Sequence, residues 1–247
     1  MIKLNGRDCY FVIPESKYGL SDVVPKYVTE NDFTFAVRCK PAWDKMREGT
    51  YSQEGGLVIK NGMHMGISCF VNDGNRYFKC TLWVKDRKEK VECIEHHFIV
   101  SHEEKDKEYF ITFRHDFKEK RMVIGNYDFF REKTYKGASP IDYSGSWLWI
   151  GAANAFNSCD DAHKHYYRGE ISFVGVYGRY LSDEEIKKVY DNSQSVWHQK
   201  QLQDETTVLF SNLQTTTPYK IYDDSDNGNH LILYDEAWLK PNLYFFH

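Results

Sequence analysis

Residues 169–190 read GEISFVGVYGRYLSDEEIKKVY. The first half of this stretch is rich in β-branched and aromatic residues, which is typical of a half-buried strand. Ser182 is followed three residues later by Glu185, a capping-box pattern that predicts the start of a helix at Ser182. The apolar residues that follow share one helical face: Ile186, Val189 and Tyr190. The stretch therefore predicts a strand that leads directly into a short helix lying against a sheet.

This stretch resembles the closing strand and helix of laminin-G-like domains, a family of concanavalin-A-like jelly rolls. The corresponding family line reads Gly-x-Ile-Asp-x-Val-Arg-Ile-Tyr-x-Arg-x-Leu-Ser-x-x-Glu-Ile-x-x-Leu-Tyr. The resemblance implies an all-β fold, an antiparallel β-sandwich of jelly-roll topology with one short helix near residues 182–192. The residues that match are Gly169, Ile171, Val174, Tyr177, Arg179, Leu181, Ser182, Glu185, Ile186 and Tyr190.

The rest of the chain reads as a series of strands separated by Gly, Asn and Asp. The clearest run, residues 33–41, alternates with a period of two residues, so one set of its side chains should face the core. That set is Phe33, Phe35, Val37 and Cys39. The other candidate strands are residues 9–14, 56–60, 65–71, 77–85, 91–100, 109–114, 121–126 and 147–150, a spacing expected of a sandwich or barrel.

The C-terminal segment carries patterns that laminin-G-like domains place first. Residues 207–213 resemble the family's opening strand, and residues 222–231 resemble its Asp-x-Ser-Gly-Asn-Gly-Asn-His turn. The order indicates a circular permutation, which is tolerated because domain termini lie close together. A truncated second repeat is the alternative interpretation. We predict one domain over residues 1–247, with the main sandwich at 11–191, a connector at 192–205 and completing strands at 206–247.

Charge and hydropathy exclude two classes of partner. The 247-residue chain has a formal net charge of −4 with both signs mixed along it, so it lacks the basic field that nucleic acids require. Its longest apolar runs are far shorter than the roughly 20 residues of a transmembrane helix. The first residues show no secretory signal pattern. We expect either another route out of the cell or a signal already removed, and an extracellular or virion-surface location if the resemblance holds.

The six cysteines are widely and irregularly spaced and include no Cys-x-x-Cys pair. A chain of this length does not need disulfides to fold, so we expect reduced thiols that act as small apolar residues, with a disulfide framework as the alternative. They are Cys9, Cys39, Cys69, Cys80, Cys93 and Cys159.

The sequence shows no convincing catalytic pattern. It has neither the Glu-x-Asp-x-x-Glu run of family-16 glucanases nor the Arg-x-Glu-x-Arg and Gln-x-His strands of alginate lyases on this fold. Residues 92–97 include two carboxylates and two histidines, but Glu92 and Glu95 are three apart and should point to opposite faces of a strand. We interpret this run as a solvated edge, with an acid/base site as the alternative.

One loop of the chain is a candidate metal site. Residues 159–165 combine thiol, carboxylate and imidazole groups at spacings that fit no zinc template. A polar rim loop is the first interpretation, and calcium held by Asp160 and Asp161 with Asn157 or carbonyl groups is the second. Zinc bound through the histidines is a third. The acidic turn at residues 223–228 reads as a hairpin turn rather than a calcium loop.

The aromatic residues give the most useful indication of binding. Trp147 and Trp149 are two apart in a predicted strand and must share a face, while Leu148 and Ile150 take the other. If the latter two point into the core, the tryptophans line an outer face where their rings can stack on sugars. Coverage of these rings by the helix or the connector is the alternative. The further candidate ligand-binding residues are Asn154, Asn157, Tyr166 and Tyr167.

Together these observations predict a non-catalytic recognition or assembly module, lectin-like in adhesion to a glycan or protein surface. The first alternative is a structural component of a phage or viral particle, either surface decoration or tail-associated. The second is a glycan-active hydrolase or lyase on the same fold. Calcium is the one candidate cofactor, and a homo-oligomer or larger particle is a candidate assembly.

Overall fold

The computed structural model describes residues 2–5, 9–13, 32–46, 55–60, 65–85, 88, 90–101, 107–136, 139–140, 148–154, 164–193, 207–211, 213, 216–217, 220–225 and 231–235. Its strands are β1 (Ile2–Asn5), β2 (Cys9–Ile13), β3 (Phe33–Pro41), β4 (Gly55–Lys60), β5 (Met65–Asn72), β6 (Asn75–Lys85), β7 (Val91–Val100), β8 (Tyr109–Asp116), β9 (Arg121–Gly125), β10 (Phe130–Thr134), β11 (Ser139–Pro140), β12 (Leu148–Ile150), β13 (Ala152–Asn154), β14 (Lys164–Tyr166), β15 (Arg168–Tyr177), β16 (Thr207–Ser211), β17 (Thr216–Thr217), β18 (Lys220–Ile221) and β19 (Leu231–Asp235). A 3₁₀ turn (Trp43–Lys45) follows β3, and helix α1 (Asp183–Asn192) follows β15.

Two antiparallel sheets form the body of the protein. Sheet A has the order β1-β15-β3-β8-β9-β10, and β16 also pairs with β15. Sheet B has the order β11-β6-β5-β4-β12-β2-β19-β18-β17, and β7 also pairs with β6. A small hairpin joins β13 to β14. The protein is therefore an all-β antiparallel sandwich with one α-helix among its described residues, as predicted.

The main core lies between the two sheets. Phe33, Phe35, Val37 and Cys39 of β3 are completely buried in it, which confirms the predicted alternation. The ring of Phe113 on β8 meets Phe33 edge-on, with ring centroids 5.1 Å apart. Strand β3 is also covered on its other face, so Thr34, Ala36 and Arg38 are buried as well.

Helix α1 covers the outer face of sheet A. Ser182 caps it by accepting a hydrogen bond from the Glu185 amide, while the Glu185 carboxylate accepts one from the Ser182 amide. This capping box confirms the predicted start, and such a cap contributes about 1 kcal/mol. The helix and this face of sheet A enclose a second apolar cluster, separate from the main core. Its residues are Ala36, Phe110, Phe173, Tyr177, Leu181, Ile186, Val189 and Phe210.

Steric constraints require glycine at position 169, the first residue of the stretch 169–190. Gly169 has a φ of +146°, a region that side chains rarely adopt. A Cβ atom there would collide with the carbonyl oxygen of Lys40 on the neighbouring strand β3. Glycine therefore lets β15 and β3 approach each other where their pairing begins.

Strands from the C-terminal segment join both sheets. β16 pairs with β15 in sheet A, and β19 pairs with β2 in sheet B. The division into main sandwich, connector and completing strands stays a prediction, and most of the connector lies outside the described residues. No helix in the described part of the chain is long and apolar enough to span a bilayer.

Candidate functional site

The side chains of strand β12 point in the predicted directions, but its tryptophan is buried rather than exposed. Leu148 and Ile150 are completely buried in the main core, so Trp149 lies on the opposite face. The Trp149 side chain is nevertheless only 5% exposed, and its ring is not open to a ligand in this structure. Helix α1 does not cover it, because that helix packs on the other sheet. Trp147 lies outside the described residues.

Tyr167 was a candidate ligand-binding residue, and its burial corrects that expectation. Its side chain is completely buried, and its hydroxyl donates a hydrogen bond to the carbonyl oxygen of Glu170 at 3.1 Å. Burial raises the pKa of Tyr167, and the neighbouring Cys39 and Cys69 thiols raise it further. Tyr167 therefore fills the core beside two buried cysteines. Tyr166, its neighbour, is partly exposed and pairs with Ala152 in the small hairpin.

The remaining candidates surround the predicted rim loop. Asn154 pairs with Lys164 through its backbone, and its side chain lies outside the described residues, as do Asn157, Asp160 and Asp161 entirely. Elsewhere in the chain, the described residues include no group of three or more His, Cys, Asp or Glu side chains able to hold a metal ion. Calcium binding at Asp160 and Asp161 stays a prediction.

The structure brings together a different set of aromatic residues on the outer face of sheet B. Phe78 of β6 points into the core, so its neighbour Tyr77 points outward. Tyr77 stacks on Phe70 of β5 with ring centroids 4.8 Å apart and planes inclined by 9°. On its other side, Tyr77 meets the His97 ring of β7 edge-on at 5.5 Å. Phe70, Tyr77 and His97 form a continuous aromatic row across three strands.

An ion pair supports the aromatic row from beside it. Lys79 lies on the same face of β6, is only 2% exposed, and places its Nζ atom 2.9 Å from Glu95 Oε1. The same Nζ atom is 5.8 Å from the centre of the Phe70 ring. Because a buried ammonium group is costly unless it is paired, this contact fixes the Glu95 carboxylate beside the row.

The aromatic row presents groups that are suited to binding a ligand. Phe70 and Tyr77 are partly exposed, and His97 is exposed, so the row offers ring surface together with a hydroxyl and an imidazole. Glu92 and Glu95 lie at positions of opposite parity in β7, as predicted, so they do not face a common groove. The row therefore has groups for stacking and hydrogen bonding, with one fixed carboxylate beside them.

A second pair of titratable groups is part of the core. The His115 ring lies 2.6 Å from the Tyr135 hydroxyl through Nε2 and is completely buried. It also stacks on Phe33, with centroids 5.1 Å apart. Burial raises the pKa of Tyr135. These contacts tie β8 to the segment after β10 and leave the imidazole inaccessible to a substrate.

Sequence reasoning missed the aromatic row because its members belong to three strands. Phe70 and Tyr77 are paired directly across the hairpin of β5 and β6, while His97 reaches Tyr77 from the neighbouring strand. Their outward parity within strands 65–71, 77–85 and 91–100 was the available signal. The turn Asn72-Asp73-Gly74 sets the hairpin register, so the Phe70–Tyr77 pair was within reach of the sequence.

Comparisons with known proteins identify the fold. A Bacteroides ovatus protein provisionally described as carbohydrate-binding is 12% identical, with a TM-score of 0.58; the match covers 95% of this chain and 60% of that one. A heptameric SAP-like pentraxin from Limulus polyphemus is 13% identical over 76% of this chain and 79% of its own, with a TM-score of 0.47. The CBM40 of a Ruminococcus gnavus IT-sialidase, solved with α2,3-sialyllactose, is 12% identical over 76% of this chain and 95% of its own, with a TM-score of 0.46.

The comparison with the Bacteroides ovatus protein shows a shared β-sandwich fold. At these identities the likeness concerns the fold alone, and it is consistent with a concanavalin-A-like sandwich. No protein-family model matches the chain, and no curated protein matches it. The chain spans 60% of the Bacteroides ovatus protein's length. Membership of the laminin-G-like family in particular stays a prediction.

Proposed function

We propose that this protein is a non-catalytic recognition module that binds carbohydrate through the aromatic row on sheet B. The observation that carries the proposal is the continuous contact of Phe70, Tyr77 and His97 on an outer sheet face. Flat rings of this kind stack on the apolar faces of sugars, and neighbouring polar groups bind their hydroxyls. The carbohydrate-binding description of the Bacteroides ovatus protein with the same fold agrees with this role.

The polar groups around the row favour neutral sugars. The charge of Lys79, the cation beside the row, is offset by Glu95 at 2.9 Å, which reduces its attraction for an acidic ligand. A carboxylate accepts hydrogen bonds from hydroxyl groups at both oxygens, and Lys79 takes only one of them. We therefore expect sugar hydroxyls to bind at Glu95 while a ring face lies on Tyr77.

A glycan array with the native chain and three variants tests the proposal. Tyr77→Ala should weaken binding at least about tenfold, which corresponds to 1.4 kcal/mol. Tyr77→Phe keeps the ring and should lose less. Tyr222→Ala is the matched control, because Tyr222 is a 41% exposed tyrosine beside β18, near the opposite edge of sheet B. Thermal unfolding of each variant separates lost contact from lost folding.

Two results would overturn the proposal. One is that the native chain binds no glycan on the array, with or without calcium. The other is that Tyr77→Ala binds glycan as tightly as the native chain, which would show that the binding site lies elsewhere. Running the array with and without calcium also tests the candidate ion at Asp160 and Asp161. Release of reducing sugar from a polysaccharide panel would instead support an enzyme. The extracellular or particle-associated location stays a prediction.

A further inference from the structure

Exposed apolar side chains gather at one flank of the sandwich. Of the four large apolar side chains that are exposed in the described part of the chain, three lie on β7 or against it. Val91 and Ile99 belong to β7 itself and are 41% and 57% exposed. Phe129 is 46% exposed and its ring lies 6.5 Å from that of Phe98 on β7. The exposed apolar side chains therefore lie along β7, with Val91 at its start and Ile99 and Phe129 near its end.

Strand β7 forms an edge of sheet B. Its ten residues pair in unbroken register with β6, and within the described residues they pair with no other strand. The Glu95 carbonyl oxygen accepts a hydrogen bond from Lys133 Nζ on β10 at 2.9 Å, so it points away from β6. Backbone groups alternate in direction along an antiparallel strand. The N–H and C=O groups of Glu95, His97 and Ile99 therefore face outward along this edge.

We propose that β7 pairs antiparallel with β7 of a second copy of this chain, which joins the two copies of sheet B into one continuous sheet. The side chains of Glu95 and His97 lie two residues apart on the same outer face. A twofold axis at His96 places each Glu95 opposite His97 of the other copy, so the complementary pair forms twice. Such a self-complementary contact is what a twofold interface requires.

Charge favours this register over the one centred one residue earlier. A twofold axis at Glu95 would instead place the two Glu95 carboxylates directly opposite each other, which is unfavourable. With the axis at His96, outward-facing residues pair with outward-facing residues, and each such pair exchanges both backbone hydrogen bonds. Lys79 takes Oε1 of Glu95, but a carboxylate has about four acceptor sites on its two oxygens, so His97 of the second copy and a sugar hydroxyl can bind Glu95 together. The same register places Cys93 opposite Ile99 of the second copy.

Lys133 restrains this association. Its ammonium group occupies the Glu95 carbonyl oxygen that the second copy would need, and lysines at sheet edges commonly block unwanted pairing. The Lys133 side chain is exposed, so the second copy can displace it at little cost. Removing the lysine should therefore strengthen the dimer, an effect opposite to that of removing an ordinary interface residue.

Sedimentation velocity over a range of protein concentrations tests the proposal with four forms of the full chain. The native chain should show a monomer–dimer equilibrium. Lys133→Ala should tighten it by on the order of tenfold, because the two hydrogen bonds from Lys133 to the Glu95 carbonyl oxygens no longer have to be broken when the dimer forms. Ile99→Lys should weaken it by at least about tenfold by placing a charge in the interface. Lys136→Ala is the control, because Lys136 is an exposed lysine just beyond β10.

Disulfide trapping tests the register. Ile99→Cys should cross-link under mild oxidation to Cys93 of the second copy, and the same variant carrying Cys93→Ser should not form that bond. Peptide mapping of the cross-linked dimer identifies the bond directly. Monomers at every concentration for both the native chain and Lys133→Ala would overturn the proposal. So would a dimer that Ile99→Lys leaves intact or a cross-link at other cysteines.

The dimer would give the binding surface a second copy on the same side. A twofold axis perpendicular to the sheet keeps both outer faces together, so the two aromatic rows would point in one direction. Two linked sites bind a multivalent surface more tightly than either one alone. The dimer itself does not depend on glycan binding, and sedimentation measures it in the absence of any sugar.

Discussion

Arg38 and Arg114 hold opposite ends of helix α1 against the outer face of sheet A. Arg114 lies on β8 opposite Thr34 of β3, four residues before Arg38 on that strand. Arg114 Nη1 donates to the Leu181 carbonyl oxygen at 2.9 Å, just before the helix begins. Arg38 Nη2 donates to the Tyr190 carbonyl oxygen at 3.0 Å, near the helix end. The distance between the two arginines on the sheet therefore matches the distance between the two ends of the helix.

Arg114→Met should destabilise the protein by about 1–3 kcal/mol, because the Leu181 carbonyl group would lose its buried donor. Methionine keeps an unbranched apolar side chain of similar length. It also removes the ion pair with Asp183 and the guanidinium contacts with the rings of Phe130 and Tyr180, whose centroids lie 4.3 and 4.9 Å from the guanidinium carbon. The measurement is urea unfolding, where the midpoint should fall while the slope stays constant.

The matched control is Arg131→Met on exposed β10, for which we expect a change within about 0.5 kcal/mol. Equal losses in the two variants would contradict the role assigned to the Leu181 contact.

Glu185→Gln should reduce stability at neutral pH but not at strongly acid pH. Burial acts to raise the pKa of Glu185, but the hydrogen bond from the Ser182 amide and the Arg179 guanidinium outweigh it and leave this pKa below its usual value. The carboxylate thus adds stability that is fully present above its unfolded pKa of about 4.3 and is lost as the pH falls through the lower folded value.

Urea unfolding of the native chain and of Glu185→Gln at several pH values between 7 and 3 measures this effect. The gap between the two should close toward pH 3. A gap that stays constant over this range would show that the substitution acts through packing instead.

His96 should make the protein less stable as the pH falls below neutral. Burial lowers the pKa of this imidazole, and the positive charges of Lys133, His97 and Arg131 lower it further. Because the unfolded chain binds this proton more readily, the stability that depends on neutral His96 is present above an unfolded pKa of about 6.5. It is lost as the pH falls toward the lower folded value.

An NMR titration of the native chain should give a midpoint for His96 below that of an unfolded histidine. His96→Gln should lose less stability than the native chain between pH 7 and pH 5. A midpoint at or above the unfolded value would contradict the prediction.

Cys93 should react with a thiol reagent long before Cys39, Cys69 and Cys80. Burial raises the pKa of Cys39 and of Cys80, so little thiolate forms there, and Cys69 is also buried. Cys93 is exposed on β7. Peptide mapping after brief alkylation under native conditions reports each site separately. Early labelling of Cys39 or Cys80 would contradict the packing of the core.

Local patterns predicted the elements of the fold well. The alternation in residues 33–41 identified which side chains face the core, and the spacing of Ser182 and Glu185 identified the first turn of the helix. Both depend on residues within a few positions of each other, where backbone geometry alone determines which side chains share a face. The predicted directions of Leu148 and Ile150 are correct for the same reason.

The candidate site was harder to predict because exposure depends on distant segments. Alternation placed Trp149 on an outer face, yet only the tertiary structure shows that this part of the face is buried. The burial of Tyr167 also depends on distant segments, since its neighbours Cys39 and Cys69 come from β3 and β5. Conversely, Phe70 and Tyr77 remain partly exposed on the same sheet. Nothing in a strand's own sequence distinguishes these cases.

By itself, the sequence determined the periodicity of the strands and the capped start of the helix. It also determined that Glu92 and Glu95 lie on opposite faces of β7. Each of these results follows from covalent spacing and backbone geometry. The tertiary structure decided which outer-facing rings are buried and which meet across strands. It also decided that Arg38 and Arg114 hold both ends of one helix, and that Lys133 reaches the edge of the opposite sheet. These contacts join residues far apart in the chain, and only the folded register of two sheets brings them together.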